Sequence, residues 1–292
     1  MTEIKVIAYN THLFYETVAG IAPSQLFHDA KRLESIIQRA GDSQADFIGF
    51  SEVWANSTKT AICNALSSKF PVYHWDGNTN IAQMGSGLLL LSRYPLSNME
   101  FTPFDDLAGT DDLSQKGFLT AKAIVGDTQM WILQSHIQAD DSLAGIEASK
   151  KARKSNLAQI CNKISTLDPS QPLILLGDLN IVAESDITGA PTDEYKFLEQ
   201  GFSKYSLNDV YRDAHQKTLD NRGYTYDSTK NRLIEQFAPD DKKQSLRQRI
   251  DYHFSRSLTV KTIDVINDFK VDIEGKPCDL SDHYPLRATY TL

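Results

Sequence analysis

Cysteine is scarce. Cys63, Cys161 and Cys278 are scattered, odd in number and without metal-type spacing, which excludes a disulfide framework and points to free thiols. That implies a reducing compartment or an export route that needs no disulfides. Long apolar runs are also missing, so no stretch reads as a membrane span. The first residues, MTEIKVIAYN, read as a strand with no basic-then-apolar leader; the expectation is a cytoplasmic protein or an exported one whose leader has been removed. Basic residues are outnumbered, 30 Lys+Arg against 38 Asp+Glu, for a net charge of −8. A broad, unspecific nucleic-acid surface carries the opposite sign, which leaves room only for a small basic rim. Internal repeats and low-complexity linkers are absent as well, so residues 1–292 read as one domain.

What is present suits a packed core: 41% hydrophobic and 23% charged residues, in a chain long enough to bury roughly three quarters of its unfolded surface. Strand-like runs recur at IKVIAYN, ADFIGFSEV, SGLLLLS, FLTAKAIV, QMWILQSH, PLILLGDLN, RIDYHFS and YPLRATYTL. Several are apolar throughout, as in strands buried on both faces. Between them, Ala30, Leu33, Ile36, Ile37 and Ala40 form one helical stripe, Ile62, Ala65 and Leu66 a second, and Leu157, Ile160, Cys161 and Ile164 a third. The segments 118–125 and 129–136 read as a hairpin, and strict βαβ alternation is lacking. A layered α/β sandwich with mixed or antiparallel sheets follows. The polar stretch from Gly189 to Gln248 is expected to form loops over a site or surface decoration.

The buried strands stop in an unusual way. VIAYN ends on Asn10, FIGFSE on Glu52, WILQSH on His136, and LILLGDLN on Asp178 and Asn180; RID carries Asp251, and Asp282 and His283 precede the last strand. Each alone has a plain structural explanation as a turn, an ion pair or a satisfied core histidine. Together they deliver carboxylate, amide and imidazole groups to the ends of six apolar strands, where burial is costly unless the groups are paired or functional. If those ends converge, the cleft suits hydrolysis at phosphorus. Glu52 and Asn10 would supply oxygen ligands for a hard divalent cation, and His283, backed by Asp251, would act as base. Asp178 would orient water or metal, while Asn180 and His136 would hydrogen-bond phosphate.

At these residues the chain resembles the endonuclease/exonuclease/phosphatase superfamily, from YNTHLF through GFSEVW, GDLN and RIDY to SDHYPL, in the family's order. SHIQADDS, GYTYDSTKNRLIEQFAP and the Tyr-Pro after His283 make it most similar to the bacterial neutral sphingomyelinases. The resemblance implies a four-layer α/β sandwich, two mixed or antiparallel sheets packed together and flanked by helices. It implies catalytic magnesium (Mg2+) on Glu52 and Asn10, His283 as base oriented by Asp251, and Asp282 beside the metal or phosphate. Asp178 and Asn180 would position water and substrate, and His136 would support the phosphate or leaving oxygen. Oxygen ligands equally accept manganese, cobalt or calcium. EVWANS matches as well, placing Asn56 at a peripheral metal site, but Gln83 and Met84 stand where those relatives carry acids, which argues against that site. Their aromatic-tipped hairpin before Ser-Asp-His is here INDFKVDIEGKPCDL, with Phe269 its one aromatic. Transient membrane contact would then fall to Phe101 and Phe104 or to the basic loop Lys242–Arg249, segments that packed aromatics and a solvated charge run equally explain.

The leading expectation is a metal-dependent phosphodiesterase acting on sphingomyelin or a related phospholipid. A nuclease of the same superfamily, with nucleic acid as substrate, is the alternative, and net charge counts against it. A phosphoinositide phosphatase comes third, since RQRIDYHF stands where those enzymes show Cys-Asp-Arg. A non-catalytic interaction module is the least favoured, because the whole metal and base set is present.

Overall fold

The computed structural model describes residues 2–14, 23–77, 84–215 and 222–292. Two six-stranded sheets dominate. The first contains β1 (Glu3–Leu13), β2 (Phe47–Val53), β3 (Val72–His74) and β4 (Leu89–Ser92), together with strands Thr259–Val265 and Leu286–Thr291. The second contains β5 (Leu96–Pro103), β6 (Gly117–Val125), β7 (Thr128–His136) and β8 (Leu173–Asp178), together with Asn208–Asp209 and Asp251–Arg256. Both sheets are mixed: β1 runs parallel to β2 and β7 parallel to β8, and the other pairings are antiparallel.

Strand composition explains the layering. Ile4, Val6, Ala8 and Leu90 of the first sheet meet Leu119, Ala121, Ile132 and Leu176 of the second in one dry core. The alternate residues of the same strands face outward to a second layer of apolar contacts, so these strands read as continuous apolar runs. Helices α1 (Pro23–Leu26), α2 (Asp29–Asp42) and α3 (Asn56–Leu66) follow the first two strands, and Ile36, Ala40, Ile62 and Leu66 pack on the outer face of the first sheet. Helices α4 (Ile146–Ser165) and α5 (Asp193–Ser203) cover the second through Leu157, Ile160, Leu198 and Phe202. The result is helix, sheet, sheet, helix, the four layers expected. Gly49 of β2 faces the second sheet: a Cβ there would lie 2.9 Å from Leu176 Cδ1 and 3.0 Å from Gln134 Cδ, so a larger residue would have to displace those side chains.

The polar stretch from Gly189 to Gln248 is the main departure from expectation. It holds α5, and Tyr195, Leu198, Phe202, Leu207, Val210 and Tyr211 within it are buried. Tyr195, Leu198 and Phe202 recur at i, i+3 and i+7, a stripe masked by the acids and amides between them. Phe104 is buried against Phe118, Phe101 packs partly buried on the inter-sheet core, Arg249 is buried, and Arg247 pairs with Asp186 at 3.0 Å. Phe104 is thus withdrawn from any surface role, whereas Lys243, Gln244 and Ser245 of the basic loop stay exposed. The hairpin Lys270–Ile273 with Lys276–Asp279 does form, but Glu274 and Gly275 make its tip.

His253, in the Asp251–Arg256 strand, is buried between the sheets, with Tyr290 Oη at 2.9 Å and the Leu286 carbonyl at 3.1 Å. Burial lowers its pKa from 6.5 to about 4. The unfolded chain therefore takes up a proton near pH 6.5 that the folded chain refuses until about pH 4, so stability falls as pH drops through that window. Between pH 7 and 5 this one group should cost on the order of 2 kcal/mol. Urea unfolding at both pH values should show a smaller pH-dependent loss in His253→Gln than in the wild type. Equal losses would mean that His253 is not the group responsible.

Candidate active site

Strand direction brings the polar ends together. The C-terminal ends of β1 and β2 meet the start of Leu286–Thr291, since Ala8 pairs with Leu286 and Asn10 with Ser51. In the other sheet, Asp178 at the end of β8 pairs with both His136 at the end of β7 and Asp251 at the start of its antiparallel strand. Both sheets thus open their polar ends along one edge.

The side chains link across that edge. Asn10 Nδ2 donates to Glu52 Oε1 and to Asp178 Oδ2, both at 2.9 Å. His136 Nε2 lies 3.9 Å from Glu52 Oε1 and 3.8 Å from Asp178 Oδ2. Asp178 Oδ1 accepts the Asn180 amide at 2.9 Å, and the Asn180 side chain donates to the Ile137 carbonyl at 3.1 Å. His283 Nδ1 is 2.7 Å from Asp251 Oδ2, and its Nε2 lies 3.9 Å from both Asp178 Oδ2 and Asp282 Oδ2. All eight residues singled out in the sequence, Asn10, Glu52, His136, Asp178, Asn180, Asp251, Asp282 and His283, therefore belong to one contact network. Three site residues that are not glycine sit in the left-handed backbone region, His12 at φ 49°, Glu52 at 58° and Asn180 at 46°, a strain that persists only where surrounding contacts over-determine it.

Electrostatics follow from burial among like charges. Asp178 is pushed up to about 7 by burial first and then by the Asp251 charge. Burial works against a charge on His283, yet Asp251, Asp282 and Asp178 outweigh it and hold its pKa well above the ordinary imidazole value. Burial would raise Glu52, but His12, His136 and the Asn10 amide hold it well below the usual carboxylate range. Burial, reinforced by Lys116, keeps His136 neutral.

The donor set suits a hard cation. One ligand atom each from Glu52, His136 and Asp178 lie within 4.8 Å of one another. His136 is no satisfied core histidine: both ring nitrogens are buried without a hydrogen-bond partner. A buried imidazole left so is costly and marks a place for a polar guest.

Several supports went unread in the sequence. His12 Nδ1 lies 3.6 Å from Glu52 Oε2 and 3.5 Å from Asp282 Oδ2; it stands two residues beyond Asn10, past a register shift in β1 and with a left-handed backbone, so strict alternation does not place it. Arg32, fully buried in α2, donates to the carbonyls of Thr11, His12, Phe27 and Leu280, clamping the end of β1 to the loop before Asp282. Asn231 donates to the Ser281 and Asp282 carbonyls at 2.7 and 3.1 Å. Ser281 Oγ donates to the Asn10 carbonyl at 2.7 Å and accepts the His283 amide at 3.2 Å, which sets the turn presenting the imidazole. Asn56 is the exposed first residue of α3, Met84 bridges to Ser114, and Gln83 lies outside the described residues.

Comparison with known proteins bears on the family and the fold. A sequence model described as the endonuclease/exonuclease/phosphatase family matches residues 7–154. Phospholipase C of Staphylococcus aureus is 22% identical over 315 residues, covering 98% of this chain and 87% of that protein. A sphingomyelinase C of Bacillus cereus is 24% identical over 303 residues, covering 97% and 88%. Among solved structures, a beta toxin from Staphylococcus aureus has a TM-score of 0.77 at 20% identity, over 98% of this chain and 99% of that one. A beta toxin variant with bound magnesium ions has a TM-score of 0.71 at 20% identity over 98% and 99%. TDP2 of D. rerio, complexed with a single-strand DNA product, has a TM-score of 0.70 at 15% identity over the whole of both chains. These structural likenesses establish a shared fold.

Proposed function

The chain belongs to the endonuclease/exonuclease/phosphatase family, and on that premise we propose that it is a magnesium-dependent phosphodiesterase, residues 1–292 acting as one catalytic domain. Its substrate is sphingomyelin or a related choline phospholipid, hydrolysed to phosphocholine and a lipid alcohol. The observation that carries this reading is the 2.7 Å His283–Asp251 pair standing against the Glu52, Asn10 and Asp178 cluster.

Glu52 would hold the cation, with Asp178 and His136 within reach; Asn10, whose Nδ2 here donates to both carboxylates, would join as a neutral ligand once its side-chain oxygen is turned to the cluster. When bound, the cation polarises the phosphate, screens the charge that develops on it, and offsets the pull of the carboxylates on the His283 proton. Asp251 accepts from His283 Nδ1, which fixes the ring and leaves Nε2 facing the cleft. Water positioned by Asp178 and Asn180 gives its proton to that Nε2 as its oxygen bonds to phosphorus. The bond from phosphorus to the lipid oxygen breaks, that oxygen takes a proton from solvent to leave as the alcohol, and His283 returns its proton to solvent. His136 hydrogen-bonds the phosphate or the departing oxygen, and Asp282 holds the phosphate side of the cleft.

The lipid is favoured over nucleic acid by the names of the two relatives that cover nearly the whole chain and by the net charge of −8. The likeness to a DNA-bound structure, at 15% identity, speaks for the fold alone. A substrate panel separates the readings. With magnesium, sphingomyelin micelles should be hydrolysed at least about 100-fold faster than single-stranded oligonucleotide or phosphoinositide, a preference set by transition-state contacts outside the shared metal centre. Faster turnover of oligonucleotide would replace the lipid reading with the nuclease one.

A further inference from the structure

Leu26, Leu113, Leu143, Ile146 and Ile187 are exposed by 63, 65, 83, 58 and 93%, more than any other large hydrophobic residue among those described. Their places in the chain are not random. Leu26 lies in the connection after β1, Leu113 between β5 and β6, Leu143 and Ile146 after β7, and Ile187 after β8. Gly117, the first residue of β6, pairs with His136, so the β5–β6 connection leaves the sheet at the site edge, as the other three do. The less exposed Tyr73, Met99 and Ile124 lie within strands and Phe197 inside α5, whereas Leu26 ends α1 and Ile146 opens α4. Two of the tip-bearing loops are stapled together: Asp141 accepts the Thr110 amide at 2.8 Å and its hydroxyl at 2.6 Å, and Asp111 accepts the Ala139 amide at 2.8 Å. Leu113 and Leu143 are thus held out by ordered loops.

We infer that these five aliphatic tips dock the cleft onto a zwitterionic lipid surface, so that the chain meets lipid through its rim rather than through a hairpin. The inference rests on the lipid reading proposed above. Singly scattered apolar residues are ordinary on a protein surface; what distinguishes these five is their shared place on connections that leave the sheets at the site edge. Tips on separate loops around one opening suit a planar apolar phase better than a single helix or strand, which needs a continuous groove. Charge selects the surface. Segments 104–116, 137–147 and 179–192 carry nine Asp and Glu. Asp111, Asp140, Glu147, Glu184 and Asp186 are paired with Lys or Arg, while Asp105, Asp106, Asp112 and Asp141 have no ion pair among the described residues and leave the rim net acidic. Anionic lipid would be repelled, whereas a neutral phosphocholine layer would not.

Sedimentation with sucrose-loaded vesicles of sphingomyelin and phosphatidylcholine, in chelator to prevent turnover, tests this directly. The variant carrying L113S, L143S, I146S and I187S should lose at least about 30-fold in vesicle partitioning, given the transfer cost of four aliphatic side chains. Its thermal unfolding should match wild type, and with magnesium its hydrolysis of a short-chain sphingomyelin below the micelle threshold should stay within about twofold. Unchanged partitioning would overturn the inference, as would tighter binding to vesicles rich in anionic lipid. A concentration-dependent dimer that the same substitutions abolish, with vesicle binding intact, would also overturn it. If neither protein hydrolyses lipid but partitioning still falls, the docking surface stands and the catalytic reading fails.

Discussion

His283→Ala should lower kcat on sphingomyelin by about 10³-fold, with KM nearly unchanged, because it removes the group that takes the proton from water. The expectation follows from geometry: Asp251 fixes Nδ1 at 2.7 Å, and Nε2 is the ring atom left to face the carboxylates of the cleft. Removing the imidazole also leaves Asp251 buried without this partner, so the variant must be shown to fold before its rate is read. Asp251→Asn supplies the second arm. It keeps the size of the group but weakens its hold on the ring, and should cost about 10²-fold in kcat. Near wild-type rates in a folded His283→Ala protein would remove His283 from the mechanism. A rate loss matched by an equal loss of folded protein would assign it a structural role.

Glu52→Gln should cost about 10³-fold in activity and abolish tight magnesium binding measured by calorimetry, because it exchanges the anionic ligand for a neutral one of the same shape. Its carboxylate receives Asn10 at 2.9 Å and faces His12 and His136 at 3.6 and 3.9 Å, an amide and two imidazoles that hold it well below the usual carboxylate range. The substitution leaves the backbone at φ 58° unchanged, so it tests charge rather than strain. Magnesium affinity equal to wild type would place the cation elsewhere. Loss of binding together with loss of rate is what the proposed site requires.

Much of the site was legible because period-two strands make the last residue before a turn easy to find. Asn10, Glu52, His136 and Asp178 stand towards the end of an apolar run and Asp251 at the start of one, and their convergence needed only the strand directions the sheets adopt. His12 escaped because the register of β1 shifts between Asn10 and Leu13 and its backbone turns left-handed, so the strand does not visibly end there. Arg32 escaped for a different reason. Apart from Asp29, one helical turn away, its partners are four carbonyls from three places in the chain, and a carbonyl has no side-chain signature. The segment after Gly189 was misread because its apolar residues are interleaved with acids and amides that face solvent from α5. The exposed aliphatic tips could not be read at all, since Leu143 and Ile187 look like core residues until the fold leaves them outside.

The central claim is tested most directly by phosphocholine release from sphingomyelin in mixed micelles, with magnesium, with chelator, and with His283→Ala alongside. Magnesium-dependent release that chelator abolishes and the variant loses by about 10³-fold is the predicted result. No release from folded protein shown by calorimetry to bind magnesium would contradict the lipid reading while leaving the fold and the metal site in place.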